Sequence, residues 1–140
     1  MAKYIGLDLG SKTIGVATSE GYFANTNSTI RFEEDNFEQA SELLDQFLKK
    51  EGYEKIIIGL PKNMDGSSGH RVDMVKEFID VFLDKTDIKQ EDIVEVDERL
   101  TTRMAKSIMI EANLSRKKQK VNKDQLAAKL ILETFLQQTR

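Results

Sequence analysis

The sequence predicts an α/β domain: a mixed five-stranded sheet, with three antiparallel strands followed by parallel ones, flanked by helices. Three observations carry this. The stretch "YIGLDLGSKTIGVA", residues 4–17, reads as two short strands joined by Gly10-Ser11-Lys12-Thr13. Residues 55–60, "KIIIGL", form an uninterrupted apolar run, as expected of a central strand covered on both faces. Beyond residue 33, amphipathic helical patterns alternate with strands, which implies parallel pairing in the later part of the sheet.

Taken in order, the first strand alternates. Tyr4, Gly6, Asp8 and Gly10 share one face; Ile5, Leu7 and Leu9 share the other. A partner strand runs through residue 18, and a weaker third is expected near Asn27 to Phe32. Phe37, Ala40, Leu44, Phe47 and Leu48 then recur at helical spacing, and Gly52 ends that helix. After the central strand, "PKNMDGSSGHR" reads as a loop. Val72, Val75, Phe78, Ile79 and Phe82 mark a second amphipathic helix. "DIVEV" is the fifth strand, closing at Asp97-Glu98-Arg99. Thr101 or Thr102 can cap a further helix carrying Ala105, Ile108 and Met109. "SRKKQKVNK" reads as a basic loop, and a last helix as starting near Asp124 and ending near Gln138. The chain has no repeat, linker or low-complexity tail, and its 140 residues fit one domain, 1–140.

Composition narrows the chemistry. There is no cysteine, which excludes a disulfide framework, a thiol nucleophile and a thiolate metal site. The single histidine, His70, rules out a histidine-rich zinc centre and reads as an exposed residue of the second helix's first turn. Any metal would therefore have oxygen ligands, which favours magnesium, manganese or calcium. Asp8 interrupts the N-terminal apolar run, so no signal peptide is read there, and no apolar span approaches membrane length. A cytoplasmic protein is the expectation.

The net charge of −3 hides an uneven distribution. Residues 33–54 hold eight acids and two lysines; residues 99–123 hold eight bases and one acid, Glu111. Local field decides what a surface attracts, so the second segment is a candidate grip for nucleic acid.

Ligands of such sheets gather at the carboxyl ends of the strands. Asp8 lies near the end of the first strand, Asp97 and Glu98 close the last, and Asp124 begins the last helix. Carboxylates held together repel, and hard divalent cations resolve the conflict; two of them about 4 Å apart activate a water against a phosphodiester. Each acid also has an ordinary reading: an edge residue for Asp8, a solvated turn for Glu98, an N-cap for Asp124. Gly6 and Gly10, beside Asp8 on its face, favour chemistry there by clearing side chains from the backbone.

Four segments in order and spacing carry a resemblance over nearly the whole chain: "IGLDLGSKTIGVA" at 5–17, "IIIGLPKNMDGSSG" at 56–69, "VDERLTT" at 96–102 and "DQLAAKLILETFL" at 124–136. The chain resembles the YqgF family, described as pre-16S rRNA nucleases and as Holliday-junction-resolvase-like proteins, with an RNase H-like fold. The resemblance implies a nuclease using Mg²⁺ or Mn²⁺, two ions, with Asp8, Glu98 and Asp124 as catalytic residues and ligands. One departure is Lys123, where the family usually has an apolar residue. Strand alternation sends Asp97 to the face opposite Glu98.

Substrate-binding candidates are Lys12, Asn63, Gly66, Ser67, Arg99, Lys117, Lys118 and Lys120. Asn63, Gly66 and Ser67 offer donors near a helix start that suit a phosphate, although a plain strand-to-helix turn uses the same residue types. Arg99 is a candidate phosphate clamp, and the three lysines grip the backbone without reading sequence. The expected partner is nucleic acid, with an rRNA precursor favoured and branched DNA as the alternative. Ribosomal particles are a further expected partner, membranes are not, and the chain is read as a monomer or weak homodimer. The competing functions are a Holliday-junction-resolvase-like DNA endonuclease and a non-catalytic nucleic-acid-binding module of ribosome assembly. The first hairpin also resembles the phosphate-binding hairpin of the actin and sugar-kinase superfamily, but no second glycine-rich hairpin follows it.

Overall fold

A computed structural model describes residues 3–20, 23–61, 69–97 and 116–138. The elements are β1 (Lys3–Leu9), β2 (Thr13–Glu20), β3 (Phe23–Arg31), α1 (Phe37–Glu51), β4 (Lys55–Leu60), α2 (His70–Lys85), a 3-10 turn (Gln90–Asp92), β5 (Ile93–Asp97) and α3 (Arg116–Gln138). The strands form one five-stranded sheet in the order β3-β2-β1-β4-β5. β1–β2 and β2–β3 pair antiparallel, whereas β1–β4 and β4–β5 pair parallel. This is the mixed sheet the sequence predicts.

Period-two alternation distributes the side chains to two layers. On one face Ile5, Leu7, Leu9, Ile14, Val16, Ile56, Ile58 and Leu60 pack against Phe37, Leu44 and Leu48 of α1 and Val72, Phe78 and Phe82 of α2. On the other face Ala17, Ala24, Ile57 and Val96 pack against Ala128, Ile131, Leu132 and Leu136 of α3. β4 is thus buried from both sides, as its apolar run requires.

Local chemistry sets the element ends. Asn36 caps α1 by accepting the Gln39 N–H at 3.1 Å, and Gln39 Oε1 accepts the Glu33 N–H at 2.6 Å. Gly52 closes the helix at φ 77°, its N–H donating to the Leu48 carbonyl at 2.8 Å. The β1–β2 turn is tight: the Gly10 N–H donates to the Thr13 carbonyl at 2.7 Å. Residues after β3 lock it, with the Phe32 N–H on the Lys12 carbonyl at 3.0 Å and the Asp35 N–H on the Ser11 carbonyl at 2.8 Å.

Two expectations need correction. β3 begins at Phe23 rather than near Asn27, because pairing with β2 from Glu20 onward holds a polar stretch whose own pattern carries no strand signal. Val16 pairs with Ser28 and Ala17 with Thr26, so Asn27 is the extra residue of a bulge. The segment carrying Lys117, Lys118 and Lys120 is not a loop, and α3 does not begin at Asp124; both belong to one helix starting at Arg116. Nothing between Arg116 and Gln138 breaks a helix, since the stretch has no glycine or proline and lysine and glutamine are good helix formers. The helix expected after Thr101 or Thr102 lies outside the described residues.

α3 touches the sheet most closely at Gly6. A Cβ there would sit 2.7 Å from the Ala128 carbonyl oxygen and 2.8 Å from Leu132 Cβ. The sequence reading assigned the bare backbone of Gly6 to an approaching ligand; the helix occupies that space instead. Gly6→Ala should therefore force α3 off the sheet and lower stability by about 1–3 kcal/mol, measured by urea unfolding.

A surface ion pair generates a second expectation. Lys3 Nζ lies 2.8 Å from Glu51 Oε2, tying the start of β1 to the end of α1. That hydrogen bond, reinforced by the charge of Lys3, holds the Glu51 carboxyl below its ordinary range. A depressed carboxylate contributes stability above its unfolded pKa and loses it as pH falls through the folded value. Lys3→Met should thus narrow the stability difference between neutral and acid pH, with the loss confined to the neutral side. Urea midpoints across a pH series check this.

Candidate active site at the carboxyl edge of the sheet

β1, β4 and β5 run parallel, so their carboxyl ends meet at one edge. The β1–β2 turn, Pro61 and Asp97 all lie there. Alternation along β1 turns Asp8 toward the α3 layer, together with Gly6 and Tyr4, whose ring meets Phe135 edge-on at 5.3 Å. Asp8 is half-buried, and its Oδ1 is shielded from solvent. Its direct partner in β2 is Gly15. On the other side Leu7 pairs with Ile58, which brings Gly59 alongside Asp8. The carboxylate is therefore bordered by residues without side chains on both neighbouring strands. A partly desolvated carboxylate fits a hard cation that prefers oxygen ligands.

The register continues outward. Asp8 pairs with Gly15, and Gly15 pairs with Thr29 of β3, so the three share one cross-strand row and one face. Gln125 of α3 donates from Nε2 to Thr29 Oγ1 at 3.1 Å. The residue after Asp124 is thus tied to the row that contains Asp8. Along the helix, position 124 lies one turn before Ala128, the residue seated over Gly6.

Other sequence candidates fall as follows. Asp97 pairs with Leu60, whose side chain belongs to the α1/α2 core, so Asp97 occupies that face and is exposed. Lys12 is exposed in the turn at the same edge, its carbonyl held by Phe32. His70 is the exposed first residue of α2, behind a Gly69 cap that has no side chain to offer. Glu98, Arg99, Asn63, Gly66 and Ser67 lie outside the described residues, as do the side chains of Asp124, Lys117, Lys118 and Lys120. Among the described residues no three acids or histidines cluster as a metal site, and no helix is long and apolar enough to cross a membrane.

Sequence reasoning missed Gly15, Gly59, Thr29 and Gln125. Gly15 and Gly59 gain meaning only from register, since nothing along the chain marks them as neighbours of Asp8. Thr29 and Gln125 are 96 positions apart, and neither carries a local signal.

The comparisons agree with this architecture. The family model RuvX, that of the YqgF proteins and described as a Holliday junction resolvase, matches residues 2–138. A protein of Mesoplasma florum is 52% identical over 141 residues, spanning 100% of this chain and 99% of its own length. One of Mycoplasma capricolum is 50% identical over 134 residues, spanning 95% and 94%. Both are named provisionally as pre-16S rRNA nucleases. Among solved structures, T. thermophilus RuvC in complex with Holliday junction substrate superposes with a TM-score of 0.59 at 11% identity, over 99% of this chain and 96% of that one. The fowlpox virus Holliday junction resolvase gives 0.53 at 12% identity, over 97% and 99%. These likenesses show the RNase H-like fold, and the match along almost the entire sequence shows the family: the chain belongs to the RuvX (YqgF) family of nucleases, enzymes that hydrolyse phosphodiester bonds.

Proposed function

We propose that this protein is a cytoplasmic, metal-dependent nuclease that trims the precursor of 16S rRNA, with Asp8, Glu98 and Asp124 as its catalytic carboxylates. The observation that carries the reading is the row Asp8–Gly15–Thr29 with Gln125 bonded to its far end, which ties α3, one residue after Asp124, to β3 on the row that contains Asp8. The names of the half-identical Mesoplasma and Mycoplasma relatives support the substrate. In this reading Asp8, Glu98 and Asp124 hold two Mg²⁺ or Mn²⁺ ions. When bound, these supply Lewis-acid activation of a water and charge stabilisation at the phosphate.

The chain's own residues do the rest. Asp8 offers a carboxylate already partly stripped of water, and its neighbours Gly15 and Gly59 carry no side chain. In this reading Lys12, exposed in the turn at the edge, together with Arg99, Asn63, Gly66 and Ser67, binds the phosphate. From Gln125 back to Arg116 the helix runs about 13 Å at 1.5 Å per residue. β3 continues only about 7 Å past Thr29 to Arg31. The basic turns therefore extend beyond the sheet edge as a helical arm able to follow a nucleic-acid backbone. The protein acts as a monomer or weak homodimer on RNA or on a ribosomal precursor particle.

The family description favours one alternative substrate, a four-way DNA junction. Purified protein with Mn²⁺ should be offered labelled pre-rRNA, single-stranded RNA and a four-way junction side by side. Cleavage of the pre-rRNA is expected, and cleavage of the junction alone would transfer the reading to DNA. Activity should vanish in EDTA and return with Mg²⁺ or Mn²⁺. Asp8→Asn and Asp124→Asn should fold and still bind nucleic acid, yet lose nearly all cleavage and most metal-induced stabilisation. Asn caps helices about as well as Asp, so parental activity in Asp124→Asn would reduce that residue to a cap.

The helical arm makes a separate, quantitative claim. Replacing Lys117, Lys118 and Lys120 by Ala removes up to three phosphate contacts, and the log–log salt slope of binding should fall by roughly 2 to 3. Alanine preserves the helix, so circular dichroism should not change. An unaltered slope places the binding surface elsewhere.

A further inference from the structure

We infer that the Thr29–Gln125 hydrogen bond is the positioning element of the active site, setting the axial position and rotation of α3 so that Asp124 is held in register with Asp8. The inference rests on the three-carboxylate reading above and adds to it two residues that carry no charge and touch no substrate.

The argument is geometric. A helix laid on a sheet keeps two soft freedoms, sliding along its axis and rolling about it. At Gly6 the Ala128 backbone and Leu132 Cβ fix how closely α3 approaches β1. Tyr4 against Phe135 steadies the helix farther toward its C-terminus. Both contacts lie C-terminal to the proposed ligand, and both are apolar or steric, so they tolerate small rotations. Next to position 124, a directional contact joins α3 to the sheet: Gln125 Nε2 donates to Thr29 Oγ1 at 3.1 Å, partly buried. A hydrogen bond weakens steeply with angle, so it resists roll where packing does not.

Its location matters as much as its chemistry. Gln125 follows Asp124 directly, and Thr29 stands on the same cross-strand row as Asp8, two strands away. Gly15, between them, contributes no side chain. Positions 124, 128, 131 and 135 fall on one helical stripe, and Phe135 on that stripe meets Tyr4 of β1. Position 125 is rotated toward β3, where its bond to Thr29 is made. Pinning 125 to β3 therefore sets how the 124 stripe is presented to β1. Metal sites depend on such outer contacts, whose loss costs about 10- to 100-fold in affinity or activity.

The test uses Thr29→Val, which keeps shape and strand propensity, and Gln125→Met, which keeps length without the amide. Thr29→Ser is the rescue variant because it retains the hydroxyl, and Asp8→Asn is the control for the site itself. Mn²⁺ titrations are read by the shift in melting temperature, alongside kcat and KM for cleavage. Thr29→Val and Gln125→Met should melt close to the parent in EDTA. Both should need about ten-fold more Mn²⁺ for half-maximal stabilisation and lose kcat with little change in KM. The double variant should be no worse than the poorer single one, and Thr29→Ser should behave as the parent. A parental Mn²⁺ midpoint in Thr29→Val, with Asp8→Asn abolishing the metal effect, overturns the positioning role and leaves the site standing. An Asp8→Asn protein that keeps the full metal effect overturns the three-carboxylate reading itself, and this inference with it.

Discussion

The contact between Gly6 and α3 is the constraint on which the rest of the architecture depends. A strand normally holds a helix away by the length of its side chains. Here the Ala128 carbonyl and Leu132 Cβ come so near the β1 backbone that a single methyl group would collide with both. The surrounding residues suit that approach: Ala17 and Ala24 on the sheet, Ala127 and Ala128 on the helix. The opposite layer is built differently. Phe32, Phe37, Phe78 and Phe82 fill it in a chain of ring contacts, with successive centroids 6.2, 5.9 and 5.7 Å apart. The sheet thus has a thick face that supplies most of the buried aromatic area and a thin face that brings a helix to the backbone.

That asymmetry has chemical consequences. A carboxylate on the thick face would be sealed among large apolar groups and would have to be neutralised. Asp8 is on the thin face, half-buried, with glycine backbones on the neighbouring strands. Its Oδ1 is shielded while the residue as a whole stays only half-buried, so it is not sealed as it would be on the thick face. The helix that presses on Gly6 also carries Gln125 to Thr29, so the same element is held on both β1 and β3.

Charge follows the same division. The acidic α1, with Glu38, Glu42, Asp45 and Glu51, lies on the thick face; α3, whose first turns hold Arg116, Lys117, Lys118, Lys120 and Lys123, lies on the thin one. The sheet stands between them. A net charge of −3 is therefore compatible with a surface that attracts polyanions, because opposite charges occupy opposite layers.

Much of this was legible along the chain, where the signal is periodic and local. Alternation in β1 assigned Ile5, Leu7 and Leu9 to one face and Asp8 to the other. The run at 55–60 declared a strand covered twice, and 3.6-residue spacing identified α1 and α2. The strand-end position of Asp8 and the β-α order sufficed to bring attention to one sheet edge. Local pattern failed where partners override propensity. The polar start of β3 is a strand because β2 pairs with it, and the lysine-rich segment is helical because nothing in it stops α3 from propagating N-terminally. Only the tertiary structure decided that Gly6 serves the helix, that Gly15 and Gly59 border Asp8, and that Thr29 reaches Gln125. Each is a relation between residues far apart in sequence, set by strand register and helix depth. A one-residue slip in register would remove all three without altering any local pattern.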